Sequence, residues 1–196
     1  MKKKPKLVLI IAGIVALVGI LIATGALKIK GSISYTGKIK KDLDTTLIMT
    51  DPAYYLMYPS GWGLERDTYT AGIYTTEEGA SSISEAPAGI VTKAGGLGNY
   101  QNTQFSTIVD MWKVELQNIG ENVEFLEDKD LKIGGHDAHY FEVTYSGSGK
   151  EFQARSYIIH PEGDLYLYQV LATSLKPYWK QYKSVLSKIA ESFYTD

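Results

Sequence analysis

The chain contains no cysteine among its 196 residues. That absence excludes anchoring through a lipid-modified cysteine, thiol catalysis, disulfide exchange, and cysteine-ligated zinc or iron–sulfur sites. A folded part of about 165 residues buries roughly two thirds of its unfolded surface, so it needs no disulfide or metal to stay folded. We therefore expect one domain that is stabilised by its hydrophobic core.

Arginine is scarce, and basic charge is concentrated at the N-terminus. The chain has only Arg66 and Arg155, whereas residues 1–30 contain six lysines and no acidic residue. The remaining residues carry 14 basic and 22 acidic side chains, which gives them a net charge of −8. Because phosphate backbones repel such a domain, no nucleic-acid partner is expected.

Familiar catalytic motifs are missing as well. The sequence has no Gly-x-Ser-x-Gly elbow and no His-Glu-x-x-His zinc-protease motif. Residues 146–150 end in Gly-Lys, but Glu151 follows where a phosphate loop needs serine or threonine, so this segment is predicted as a turn. We expect a protein that is not an enzyme, and a hydrolase with a site invisible in the local sequence is the alternative.

One long hydrophobic run is present, at residues 7–27, and it contains no charged residue. At about 1.5 Å per residue, a helix of this length covers the ~30 Å hydrocarbon core, so one transmembrane helix is predicted. Lysines flank the run on both sides, and those of residues 1–6 favour a short cytoplasmic tail. We expect a single-pass protein of the cell membrane with an extracytoplasmic C-terminal domain. A signal peptide cleaved near residues 23–25 is the alternative.

The rest of the chain divides into a predicted linker, residues 28–50, and a folded domain, residues 51–196. Turn residues and alternating apolar residues predict strands near residues 54–58, 72–75, 89–93, 138–145, 152–160 and 165–173. Apolar residues at helical spacing predict one helix at residues 104–119 and another that Pro177 begins. The predicted fold class is α+β, an antiparallel sheet flanked by helices.

Four segments resemble the PsbP-like family in their order and spacing. They are the Tyr-Pro-Ser-Gly-Trp turn at residues 58–62, Ile-Gly-Gly at residues 133–135, and residues 166–173 and 189–193. The resemblance covers about residues 54–193, and the chain is similar to membrane-anchored prokaryotic members. It implies an antiparallel sheet between helices, an α/β/α sandwich.

The resemblance implies an accessory or binding role and does not imply a particular enzymatic activity. Photosynthetic members assist photosystem II from the lumenal side and help to retain calcium and chloride, and a relative of similar fold binds the Ran GTPase. The anchor predicted here departs from the photosynthetic pattern, and the predicted location opposes a Ran-type role. We expect a non-catalytic binding or assembly-accessory domain on the extracytoplasmic face, with a protein partner of undefined identity.

All three histidines lie near the open end of the long hairpin predicted at residues 138–160, away from its turn. If Tyr145 faces Phe152, His160 lies opposite Asp137, with His139 one diagonal step away on the same face. Histidine and aspartate suit zinc or another divalent ion. The candidate metal ligands are therefore His136, Asp137, His139 and His160. The alternative is a set of polar strand-end residues with no bound ion, and no other cofactor is expected.

Acidic residues also occur in pairs along polar stretches of the sequence. Asp128 and Asp130 stand in one such stretch, residues 127–132, which also contains Glu127 and two lysines. Because the stretch is polar, they are predicted as solvated surface residues.

Overall fold

A computed structural model of the chain describes residues 42–98 and 101–195. The predicted basic tail, the predicted transmembrane helix of residues 7–27 and most of the predicted linker lie outside the described residues. Within these two ranges, neither helix is long and apolar enough to cross a membrane.

A seven-stranded antiparallel sheet forms the centre of the fold, in the order β3-β4-β5-β9-β8-β7-β6. Its strands are β3 Gly63–Arg66, β4 Thr70–Tyr74, β5 Ala88–Gly96, β6 Glu121–Ile133, β7 His136–Gly147, β8 Lys150–His160 and β9 Tyr166–Leu175. Strands β1 Thr45–Thr50 and β2 Ala53–Tyr58 form a separate N-terminal hairpin. The helices are α1 Phe105–Leu116 and α2 Trp179–Glu191, with short 3-10 turns at Glu77–Gly79 and Lys176–Tyr178.

The two faces of the sheet are covered by different elements. Helix α1 packs on one face, where Trp112 and Leu116 join a core that includes Val143. Helix α2 and the N-terminal hairpin pack on the other face, where Leu47 and Tyr182 belong to a second core. Because both faces are covered, β7 and β8 carry long runs of buried residues in place of simple alternation. The α+β prediction is confirmed.

The long hairpin has the register on which the predicted histidine cluster depends. Tyr145 faces Phe152, and Asp137 faces His160 at the other end. The strands predicted near residues 54–58, 72–75, 89–93 and 165–173 are present as β2, β4, β5 and β9. Both predicted helices are present, and the second follows a 3-10 turn that contains Pro177.

The predicted boundary between linker and domain was wrong. Residues 45–50 are β1, not linker, and the side chains of Leu47 and Met49 are 0% and 6% exposed. Only these two residues of the strand are buried, and the strand has threonines at both ends, so the apolar alternation is too short to stand out. The folded domain therefore begins before residue 51.

Strand β6 was not predicted, although it has 13 residues. It lies at the edge of the sheet and pairs only with β7 within the described ranges. Charged residues are typical of edge strands because they discourage pairing with other chains. Two register shifts, one after Glu121 and one after Phe125, also break the period of two on which strand prediction depends.

Candidate functional site

A groove of about 450 Å³ lies between α1 and strands β6 and β7. Its apolar lining includes Phe105, Val109 and Phe141. Four aspartates also line it, together with one lysine and one histidine; these residues are Asp110, Asp128, Asp130, Asp137, Lys113 and His139. We call this cavity the acidic groove.

Local periodicity places these side chains together. In β7, Asp137, His139 and Phe141 alternate with residues that face α2, so all three point toward α1. The pairing of β6 with β7 sets Asp130 opposite His139 and Asp128 opposite Phe141, on the same face. Helix α1 is fixed above them by Trp112, whose Nε1 donates a 2.9 Å hydrogen bond to Ser156 Oγ.

His139 is the buried polar centre of the groove, with 5% of its surface exposed. Its Nδ1 lies 2.7 Å from Asp130 Oδ1, within hydrogen-bond distance. Its Nε2 lies 2.8 Å from Asp128 Oδ1, although that pair is not aligned as a hydrogen bond. The imidazole also lies against the Phe141 ring, with centroids 4.5 Å apart. Two carboxylates and an aromatic ring therefore hold His139 in place.

The one lysine of the groove is already paired. Lys113 Nζ donates a 2.7 Å hydrogen bond to Asp128 Oδ2. This bond is the main reason why the pKa of Asp128 is lowered, and the nearby His139 adds to the effect. Lys113 Nζ also lies 5.4 Å from the Phe125 ring centre and 5.5 Å from that of Phe141. Lys132 Nζ, 2.6 Å from Asp137 Oδ1, offsets a second carboxylate, so the excess of negative charge in the groove comes from Asp110 and Asp130.

Three of the four predicted metal ligands share the α1 face of the sheet. Asp137 lies directly opposite His160, and His139 is one step along β7. The imidazole of His160 stacks on Phe105, with centroids 5.8 Å apart. Among the described residues, no group of three or more histidine and acidic side chains is placed to hold a metal ion. Metal binding by these residues stays a prediction.

His136 departs from the predicted set. It falls in the alternate positions of β7, with Ala138 and Tyr140, which face the α2 core. Its Nε2 is buried and has no hydrogen-bond partner. The sequence analysis included it because the cluster contains all three histidines of the chain, but His136 and His139 are three residues apart, and that spacing puts them on opposite faces of a strand.

The sequence missed the partners of His139. Asp128 and Asp130 were predicted as solvated surface, and their side chains are indeed 44% and 88% exposed, but both also contact the imidazole. Lys113 and Phe105 were also missed as site residues. The available signal was the four-residue spacing of Phe105, Val109 and Lys113, which puts them on one stripe of α1.

A second polar cluster lies on the α2 face and is fully paired. Glu142, 4% exposed, accepts a hydrogen bond at Oε2 from Arg155 Nε (2.8 Å) and forms an ion pair there with Lys183 Nζ (2.8 Å). Its Oε1 accepts hydrogen bonds from Gln153 Nε2 (2.7 Å) and Trp179 Nε1 (3.0 Å). Burial alone would raise the pKa of Glu142, but these donors outweigh it, so the pKa is lowered. The cluster joins β7 and β8 to α2.

No family model and no curated protein sequence matches the chain. Solved structures do match it. LpqN, involved in cell envelope biogenesis of Mycobacterium tuberculosis, is 19% identical with a TM-score of 0.59, over 76% of this chain and 88% of LpqN. PA94, a protein of unknown function from Pseudomonas aeruginosa, is 14% identical with a TM-score of 0.53, over 70% and 88%.

The comparison that bears on the predicted resemblance is with cyanobacterial PsbP (CyanoP) from Synechocystis sp. PCC 6803. The two chains are 14% identical, the match covers 85% of this chain and 99% of CyanoP, and the TM-score is 0.51. Identities this low support the fold alone. At that level the resemblance is confirmed, and the chain has a PsbP-like fold.

Proposed function

We propose that the protein is a non-catalytic binding or assembly-accessory domain, held at the outer face of the cell membrane by residues 7–27. In this proposal its acidic groove binds a cationic segment of a partner protein. The observation that carries the proposal is the groove itself, in which four aspartates surround an apolar floor. Asp128 and Asp137 are paired with lysines, whereas Asp110 and Asp130 have no lysine partner among the described residues.

The lining of the groove suits a lysine or arginine side chain of a partner. Such a side chain has an apolar stem, which Phe105 and Val109 can cover, and a charged end, which the aspartates can bind. Opposite charges at the rim also speed association and select against anionic partners. The similar folds of CyanoP and LpqN support the coarser role of an accessory domain, since LpqN is involved in cell envelope biogenesis.

The geometry of His139 does not favour a hydrolase. A general base needs one imidazole nitrogen near the proton that it removes. Here each imidazole nitrogen lies within 3 Å of a carboxylate, and neither is hydrogen-bonded to a hydroxyl group of the described residues. The groove is better suited to binding than to acyl transfer.

Removing two rim charges should weaken binding of a cationic peptide. In the double variant Asp110→Asn and Asp130→Asn, we expect affinity for a labelled peptide of alternating lysine and leucine to fall about tenfold. Rim ion pairs contribute up to about 1 kcal/mol each, and 1.4 kcal/mol is a factor of ten. Fluorescence anisotropy at low and at physiological salt gives both dissociation constants.

The matched control is the double variant Glu121→Gln and Glu162→Gln, which removes the same charge at exposed positions that do not line the groove. It should bind the peptide nearly as the unmodified chain does. Equal losses in the two double variants would show that net charge, not the groove, attracts the peptide, and the proposal would then fail.

A second candidate function is binding of a divalent metal ion, and the hairpin register favours it. Asp137 and His160 face one another, with His139 on the same side. Coordination would require His160 to turn away from Phe105, so a bound ion must displace that ring contact.

Zinc titration by calorimetry tests the metal site. The unmodified chain should give heat that saturates at one ion per chain, and the double variant His139→Ala and His160→Ala should give none. His136→Ala should keep the heat of the unmodified chain, because His136 faces the α2 core. Unchanged heat in the double variant would remove the metal hypothesis.

A further inference from the structure

The outward face of the N-terminal hairpin carries no charged side chain. Strand alternation turns six residues outward, and they pair directly across the two strands as Thr46 with Met57, Ile48 with Tyr55, and Thr50 with Ala53. Ile48 is 48% exposed and Met57 is 41% exposed. In a domain with a large excess of acidic residues, an uncharged face that exposes large apolar side chains indicates an interaction surface.

Tyr194 extends this face at the end of the chain. Its backbone pairs with that of Tyr55 through hydrogen bonds of 2.8 and 3.1 Å, as a third strand would. The two tyrosine rings are 6.2 Å apart, and Tyr194 is 51% exposed. We call Ile48, Tyr55, Met57 and Tyr194 the hairpin patch. Charged groups lie at its margins: Asp51 is in the turn that joins the two strands, Arg66 Nη1 donates a 3.5 Å hydrogen bond to the Ile48 carbonyl, and the Asp44 carboxylate accepts a 2.9 Å hydrogen bond from Ser60 Oγ.

The chain that precedes the hairpin points to a membrane surface as the partner of this patch. Only residues 28–44 separate the predicted transmembrane helix from β1, and a random-coil chain of that length has a mean reach of about 23 Å. The hairpin is thus the part of the domain that is tethered nearest to the bilayer. Lys38, Lys40 and Lys41 immediately precede it and suit anionic headgroups.

We propose that the hairpin patch docks on the lipid surface of the membrane that holds the anchor. This inference rests on the proposed anchor at residues 7–27. Tyrosine is enriched at the membrane–water interface, because its ring is apolar and its hydroxyl stays near the headgroups. Ile48 and Met57 supply the apolar contact beside Tyr55 and Tyr194.

Docking by this patch has a consequence for the acidic groove. The hairpin packs on the α2 face of the sheet, whereas the groove lies on the α1 face. A domain that rests on lipid through the hairpin patch therefore turns the groove away from the bilayer. That orientation leaves the groove open to a partner protein.

The lack of cysteine makes a direct test possible, since one introduced thiol is the only one in the chain. The full chain is prepared as Met57→Cys, Tyr194→Cys or Val114→Cys and labelled with the fluorophore NBD. Val114 is the matched control, since it is 58% exposed and lies on α1, on the far side of the sheet. Each protein is reconstituted into vesicles of phosphatidylcholine and phosphatidylglycerol in equal parts, with and without nitroxide-labelled lipid.

Docking predicts quenching by nitroxide lipid that is several-fold stronger at positions 57 and 194 than at position 114. Two labelled positions guard against a local fold defect at one of them. Equal, weak quenching at all three positions, in protein that floats with the vesicles, overturns the docking and leaves the anchor standing. A label that is shielded from water but not quenched by nitroxide lipid would show that protein contacts the patch, and this result would also overturn docking on lipid. Failure to float overturns both the anchor and the docking.

Discussion

Replacing Glu142 with glutamine should lower the free energy of unfolding by about 3 kcal/mol. The carboxylate is 4% exposed and compensates the charges of Arg155 and Lys183. Removing one partner from a buried ion pair leaves the other charge uncompensated, which typically costs about 3 to 5 kcal/mol. The lower end applies here, because Arg155 keeps its 3.0 Å contact with Glu127 and Lys183 is partly exposed. Urea unfolding followed by circular dichroism measures the change.

The control for this variant is Glu151→Gln. Glu151 is paired with Lys176 at 3.4 Å, but both side chains are largely exposed, so a change below about 1 kcal/mol is expected. A similar loss in both variants would show that Glu142 has no special role in joining α2 to the sheet.

The dependence of stability on pH gives a second measurement of the same cluster. The pKa of Glu142 is lowered in the folded protein, so the folded state takes up this proton less readily than the unfolded state. The stability that the carboxylate contributes is therefore complete above its unfolded pKa of about 4.3 and is lost as pH falls through its folded pKa. The stability difference between the unmodified chain and Glu142→Gln should shrink as pH falls below about 4.3.

The parts of the fold that the sequence predicts well are those whose periodic pattern is long and uninterrupted. The hairpin of β7 and β8 is predicted by its Gly-rich turn, and the pairing of Tyr145 with Phe152 is the register on which the predicted histidine cluster depends. A slip of one residue would have sent His160 to the other face. Helix α2 follows from Pro177 and from a stripe that includes Tyr182, Val185 and Ile189, all of them buried. In these elements local pattern and tertiary packing require the same residues.

The acidic groove was not predictable in this way, because it depends on an edge strand. Asp128 and Asp130 reach His139 only through the pairing of β6 with β7, and two register shifts conceal that pairing in the sequence. The sequence could place His139 and His160 on one face from the hairpin alone. It could not show that aspartates from a third strand contact both nitrogens of His139.

Replacing Leu47 with alanine should lower the free energy of unfolding by about 3 kcal/mol. Leu47 is 0% exposed and packs in the core between the N-terminal hairpin, the sheet and α2. Losing a buried leucine side chain costs about 2 to 5 kcal/mol, through lost burial and the cavity left behind. The full chain in mild detergent, unfolded with urea and followed by near-ultraviolet circular dichroism, gives the value for the folded domain.

Ile48→Ala is the matched control, because this neighbour points outward from the same strand and is 48% exposed. It should cost less than about 1 kcal/mol, mostly through the lower strand preference of alanine. If residues 28–50 were only a linker, neither substitution would change stability. A large loss at position 47 with a small one at position 48 would therefore establish β1 as part of the folded domain, with Leu47 in the core and Ile48 on the face that we propose meets the membrane.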